Sequence, residues 1–280
     1  MGESGTNQDD RRAAARVGIA GLGSIGRVLA ARVGGIPGYA LAAVSTRRGE
    51  EARAFLDANG IDAPVVPLGE LPQHADVVID ATPVASFRSV AEPALRAGRD
   101  LVPLSVGGLL ENWDLVALAR ESGGAILVPS GAIGGLDGVL AAAEGKIESV
   151  RIITRKPVAG LLGGTADPGE DATGGAGEDR EAALLFEGSV REAFARFPAN
   201  LNTAVALSLA GIGPDRTRIE VWADPALTSN THQILVVSDS VRLELRVENV
   251  PSENPRTSTL AALSVLALLR KRGSSVRVGS

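Results

Sequence analysis

Short apolar runs alternate with helical patterns over the first 130 residues, a glycine-rich turn breaks the rhythm, and the remainder is dense in strand-like segments. These three observations predict an α/β chain: an N-terminal Rossmann-type, doubly wound parallel sheet, then a second α+β domain carrying a mostly antiparallel sheet. Crossovers between the parallel strands are expected to be right-handed.

The first strand is read at residues 16–20. Gly21-Leu22-Gly23-Ser24-Ile25-Gly26 follows it, and Ile25, Val28, Leu29 and Val33 then recur at helical spacing. Further strands are read at 40–44, 75–80, 101–105 and 125–129, with helices at 50–59, 85–97 and 109–121 between them. The segment from Ser130 to Gly138 is a glycine-rich turn running into a helix at 139–144. Beyond it, strands are read at 150–154, 184–186, 218–222, 233–237 and 241–247, interrupted by helices at 190–196 and 203–209. Residues 159–180 hold seven glycines and several acids with little periodicity, and read either as a mobile active-site loop or as a surface insertion. The closing helix, 260–269, is strongly apolar and ends in Arg270-Lys271-Arg272, which complements the helix dipole.

Composition narrows the function classes. A chain of 280 residues with 45% hydrophobic content can bury a large core and suggests about two domains. The formal net charge of −5 argues against a nucleic-acid partner, which calls for a basic face. The absence of cysteine excludes disulfides, thiolate metal sites and a cysteine nucleophile, and suits the cytoplasm. With two histidines, His74 and His232, a metal site built from three is excluded as well, and no metal is expected. Residues 1–12 are polar, lack the apolar core of a secretory signal, and read as a disordered tail. The apolar runs are too short or too interrupted to span a bilayer, so a soluble protein without a membrane partner is expected.

Strand, glycine turn and helix form the context in which G-x-G-x-x-G points to a bound dinucleotide. Gly21 permits the tight turn, Gly23 lets backbone approach a pyrophosphate, and Gly26 lets helix and strand pack closely. Ser24 and Ile25 lie where the helix start offers N–H groups to phosphate. An NAD enzyme usually carries an acid at the end of the second strand, whereas here Ser45-Thr46-Arg47-Arg48 offers two hydroxyls and two guanidinium groups. That set suits a 2′-phosphate and favours NADP over NAD; the alternative is a solvated basic turn, with Glu50 or Glu51 supplying the acid. Ala81 and Thr82 close the third strand and Ser105 the fourth, on the side where ligands bind. Asp80 reads as a cap on the following helix rather than as a catalytic acid. His74 reads as an exposed loop residue away from the cleft, while His232, in a turn-rich loop opening a strand, is a candidate acid/base.

Several blocks together resemble the L-aspartate dehydrogenase family. They are Gly21–Gly26, the run Pro129-Ser130-Gly131-Ala132-Ile133-Gly134-Gly135-Leu136-Asp137, and Thr154-Arg155-Lys156-Pro157. Phe186-Glu187-Gly188-Ser189, Phe197 to Asn202, Ala223-Asp224-Pro225, Asn230-Thr231-His232 and Asn249 to Ser258 complete the match. The resemblance implies oxidative deamination of L-aspartate to oxaloacetate and ammonia through iminosuccinate, or the reverse amination, with NAD or NADP; in some organisms the family's imine feeds nicotinamide cofactor synthesis. It implies that His232 is the catalytic histidine and that Ala132 and Asn202 lie at the cofactor. It further implies a homodimer, and a closing helix that returns to the cofactor domain. The domains expected are then the tail 1–12, a dinucleotide-binding domain of 13–131 plus 255–280, and an α+β catalytic and dimerisation domain of 132–254.

A dicarboxylate substrate needs donors. Ser130, the backbone N–H groups after it, Arg155, Lys156 and Asn200 are candidates, Lys156 having the alternative of a surface lysine beside a turn proline. Asn254 and Thr257 are expected to cap the last helix. The glycine- and acid-rich 159–180 segment departs from the family, whose members carry more apolar and helical character there. Two rival readings stand beside the dehydrogenase. One is a related two-domain reductase, like dihydrodipicolinate reductase or homoserine dehydrogenase; the other is a cofactor-binding sensor without turnover.

Overall fold

The computed structural model describes residues 14–158, 181–198, 201–250 and 258–279. The 159–180 segment, Asn200, Asn254, Thr257 and the 1–12 tail lie outside the described residues.

The first half forms a four-stranded parallel sheet in the order β2-β1-β3-β4, from β1 (Ala15–Ala20), β2 (Tyr39–Ser45), β3 (Val77–Asp80) and β4 (Asp100–Pro103). Alternation along the strands divides their side chains between two faces. Val17, Ile19, Val77, Ile79 and Val102 pack under helices α1 (Ser24–Val33) and α2 (Gly49–Ala58). Ala20, Val78 and Leu101 face the other way, toward α3 (Leu71–His74), α4 (Phe87–Arg96) and α5 (Asp114–Ser122). Helices therefore cover both faces, as a doubly wound sheet requires. The closing helix, α9 (Thr259–Gly273), buries Ala262, Val265, Leu266 and Leu269 in the α1/α2 core, so the chain's end packs on its first domain.

The second half forms a five-stranded sheet in the order β6-β7-β5-β8-β9. Its members are β5 (Ile147–Lys156), β6 (Ala183–Ser189), β7 (Arg218–Ala223), β8 (Thr231–Ser238) and β9 (Arg242–Glu248). Only the central β5–β7 pair is parallel; the other three pairings are antiparallel. On the inner face Val150, Ile152, Ile219, Val221, Ile234 and Val236 are buried with residues of α6 (Leu136–Ala143), α7 (Val190–Arg196) and α8 (Asn202–Ala210). This core is continuous with the α4/α5 side of the first sheet.

Two sequence expectations are corrected. The strand at 125–129 is reduced to one bridge, Ile126 beside Leu101, held by Leu101 N–H to Ala125 O and Leu127 N–H to Leu101 O, both 2.8 Å. The chain leaves the sheet edge there to join the second domain, and Pro129 has no N–H with which to extend the ladder. The helix expected at 109–121 is instead a 3₁₀ turn, Val106–Leu110, followed by α5. A side chain on Gly107 would overlap the Phe194 ring and one on Gly108 the Phe87 ring, so this backbone is pressed against rings of α7 and α4 in the shared core.

Candidate active site

The glycine turn between β1 and α1 has the geometry a dinucleotide needs. Gly21 sits at φ +91°, and a Cβ there would lie 2.7 Å from Ala81 O. A Cβ on Gly26 would overlap the Gly21 carbonyl oxygen, so helix and turn touch backbone to backbone. Gly23 is the opposite case: nothing lies within 4 Å of where its Cβ would be. That open side is where a pyrophosphate can approach. No side chain caps the start of α1 and no acid stands in its first turn, leaving the positive end of the helix for an anion.

At the end of β2, Ser45 is buried, while Thr46 Oγ1 accepts from Arg48 N–H at 3.3 Å. Arg48 reaches Glu51 at 3.0 Å, and Arg27 approaches the same carboxylate at 3.7 Å. Arg47 is exposed and has no partner among the described residues.

The ends of β3 and β4 are bound to each other through Asp80, which is fully buried. Its Oδ1 accepts from Thr82 N–H at 2.9 Å and from Thr82 Oγ1–H at 2.6 Å, and its Oδ2 accepts from the Ser105 hydroxyl. Burial pushes the carboxyl pKa up; the bonds from Ser105 and Thr82 pull against that shift. Asp80 thus closes an Asx-type turn onto Thr82 instead of capping a helix. Ser105 is turned inward to this carboxylate, with its own hydroxyl proton spent on it.

A cavity of about 130 Å³ lies where the two domains meet. The first domain contributes Ile25, Pro103, Leu104 and Val106, and the closing helix contributes Ser258 and Ala261. The connecting turn adds Pro129, Gly131 and Ala132, and the second domain adds Lys156, Asn202, Thr203, Ala206, Asn230 and His232. Strand pairing explains the functional group at its floor. In β5 alternate residues face inward, so Thr154 and Lys156 follow Ile152 on one face, and the antiparallel register sets His232 of β8 opposite Thr154. Lys156 is 5% exposed, and burial lowers its pKa to about 8. His232 is also 5% exposed; burial first, then the charge of Lys156, lower its pKa to about 4. The imidazole is therefore neutral over the physiological range. Its Nδ1 lies 3.1 Å from Thr154 Oγ1.

Of the other expected site residues, Ala132 and Asn202 line this cavity. Asn202 Oδ1 accepts from Gly107 N–H at 3.1 Å, tying the start of α8 to the first domain. Lys156 is not a surface lysine. Arg155 points to the opposite face of the sheet, 4.8 Å over the Trp222 ring and 3.4 Å from Asp224. Of the N–H groups after Ser130, the first is engaged within the protein and Ala132 borders the cavity. Gly131 N–H donates to Ser264 Oγ at 3.1 Å, and Gly135 at the head of α6 packs on Leu245, away from the cavity. Ser130 is half-buried between two lining residues, Pro129 and Gly131. His74 ends α3 just before the start of β3, at the end of the sheet opposite the glycine turn. The start of α9 is capped by Ser258, whose Oγ accepts from Leu260 N–H. Asn230 lines the cavity without having been assigned a role from sequence, and Thr154 was missed as the partner of His232.

A glycine turn built for a dinucleotide, whose helix lends Ile25 to a cavity that a second sheet floors with a buried lysine and a neutral histidine, defines a two-domain nicotinamide-dependent oxidoreductase. Similarity to known proteins specifies which. Residues 21–129 match the model of the homoserine dehydrogenase NAD-binding domain, and residues 137–272 match that of the aspartate dehydrogenase C-terminal domain. The chain is 49% identical over 267 residues to the L-aspartate dehydrogenase of Bradyrhizobium diazoefficiens, covering 95% of this chain and 94% of that one. It is 50% identical over 268 residues to L-aspartate dehydrogenase 3 of Bordetella bronchiseptica, covering 94% and 97%. Among solved structures, aspartate dehydrogenase from Thermotoga maritima shares the fold with a TM-score of 0.72 at 24% identity, over 95% of this chain and 99% of that one. The chain belongs to the L-aspartate dehydrogenase family.

Among the described residues no helix is long and apolar enough to cross a membrane, and no group of three potential ligands is placed to hold a metal ion.

Proposed function

We propose that this protein interconverts L-aspartate with oxaloacetate and ammonia, using NADP in preference to NAD. A nicotinamide held by these residues would supply hydride transfer to and from the substrate Cα. The chain's own groups do the rest. Gly21, Gly23, Ser24, Ile25 and Gly26 form the pyrophosphate cradle, and the closed contacts at Gly21 and Gly26 beside open space at Gly23 support that assignment. Lys156 supplies positive charge in the cavity for a substrate carboxylate. His232 lines the same cavity as a neutral imidazole, able to hydrogen-bond the oxygen or nitrogen on the reacting carbon as the imine is hydrated or formed. Asn202 and Ala132 border the cofactor side, with Ala81, Thr82 and Ser105 carried by the loops that Asp80 joins.

The NADP preference rests on Arg47. Among the ribose-end candidates it is the exposed guanidinium that has no partner among the described residues, whereas Arg48 is paired with Glu51. Glu51, held between Arg48 and Arg27, is poorly placed to receive ribose hydroxyls as an NAD enzyme's acid would. A homodimer and a cytoplasmic location are proposed on the family resemblance.

The observation that carries the reading is the shared cavity holding Lys156 and His232 beside the glycine turn's helix. A panel of 2-oxo acids with ammonia and NADPH, followed by absorbance, tests it. Consumption of NADPH is expected with oxaloacetate above all others; no ammonia-dependent consumption with any oxo acid rejects the reading.

A further inference from the structure

His232 has two ring nitrogens, and the proton can sit on either while the ring is neutral. The structure decides between them through a neighbour with no assigned role. Thr154 is 2% exposed, and its hydroxyl has one hydrogen-bond partner among the described residues, His232 Nδ1 at 3.1 Å. Were the ring to carry its proton on Nδ1 and donate to Thr154, the hydroxyl's own proton would be buried with no acceptor. With the hydroxyl donating to Nδ1, both groups are satisfied. Nε2 then carries the ring proton, and the residue lines the cavity.

We propose that Thr154 is a positioning residue that holds His232 as the Nε2–H tautomer, so that the ring presents an N–H donor rather than a lone pair to the substrate. This rests on the dehydrogenase reading above and sharpens it. In the amination direction an N–H donor polarises the C2 carbonyl of the oxo acid while ammonia adds; in deamination it holds the oxygen that water brings to the same carbon. Burial and the charge of Lys156 keep the ring neutral, and a neutral ring is the state in which the choice of tautomer has meaning. Strand register makes the pairing rigid, since Thr154 and His232 are directly opposed residues of β5 and β8.

The chain's having two histidines makes the tautomer directly measurable. Long-range proton–nitrogen correlation NMR on ¹⁵N-labelled protein gives two imidazole patterns, and His74→Gln removes the one that is not His232. The expected pattern for His232 is an unprotonated Nδ1 and a protonated Nε2, in the wild type and in Thr154→Ser. A protonated Nδ1 in the wild type overturns the proposal, whatever the activity of the enzyme. Thr154→Val should mix the tautomers and lower kcat by roughly 10- to 100-fold, with the KM for the cofactor unchanged, and Thr154→Ser should restore kcat. Equal kcat in the Val and Ser variants also overturns it. Absence of turnover in the wild type with every oxo acid would instead remove the dehydrogenase reading while leaving the tautomer result standing.

Discussion

Lys156→Met offers a thermodynamic test of the buried cation. The lysine is 5% exposed, and its pKa stands at about 8 against an ordinary 10.5. At about 1.4 kcal/mol per pKa unit, that difference corresponds to about 3 kcal/mol of cost for holding the charge inside the fold. Relaxation and water entry make this an upper figure. The sign follows from proton binding. Below pH 8 the lysine is charged in both native and unfolded chains, and the full cost is present. Between about pH 8 and 10.5 the unfolded chain holds more protons than the native one, so wild-type stability rises with pH through that window. Methionine has a similar length and no charge, and it fills irregular apolar space well. Urea unfolding should therefore show Lys156→Met more stable than wild type at pH 7, by up to about 3 kcal/mol, with the gap closing toward pH 10.5. The same variant should lose most activity toward a dicarboxylate, and its His232 pKa should rise, since one of the two influences lowering it is gone. A variant that is less stable at pH 7, or whose advantage does not shrink at high pH, refutes the assignment of Lys156 as a strained buried charge.

Three further outcomes follow from the cofactor side. Gly26→Ala forces a Cβ into the Gly21 carbonyl and should cost roughly 1–3 kcal/mol, lowering the melting temperature as well as cofactor affinity. Gly23→Ala enters open space, so it should leave the melting temperature unchanged while raising the KM for NADP. Arg47→Ala should raise the KM for NADP at least several-fold and leave that for NAD unchanged, as measured by paired steady-state titrations; an equal effect on both cofactors removes Arg47 from the 2′-phosphate.

Local patterns made much of this legible. The strand read at 150–154 falls within β5, and the glycine spacing marks the turn between β1 and α1. What stayed hidden depends on contacts between distant segments. That Lys156 is buried and Arg155 is not follows from which face of β5 meets the core, and single-residue alternation cannot name that face without the partner strands. The split of the 109–121 helix comes from Phe87 and Phe194 closing on Gly107 and Gly108. Asp80 looked like a helix cap because strand-end acids often are; its bond to Ser105 crosses to the next strand. Thr154 belongs to a family-like block, Thr154 to Pro157, yet only the β5–β8 register shows that it faces His232.

The central claim is that His232 acts in the chemistry of an amino-acid dehydrogenase whose cofactor is held elsewhere. It is tested most directly by following NADPH oxidation with oxaloacetate and ammonia in wild type and in His232→Ala, alongside NADPH binding to each. The account predicts robust wild-type turnover, a loss of roughly 10²- to 10⁴-fold in the variant, and unchanged NADPH affinity. Turnover in the variant equal to wild type, or NADPH binding lost together with activity, would contradict it.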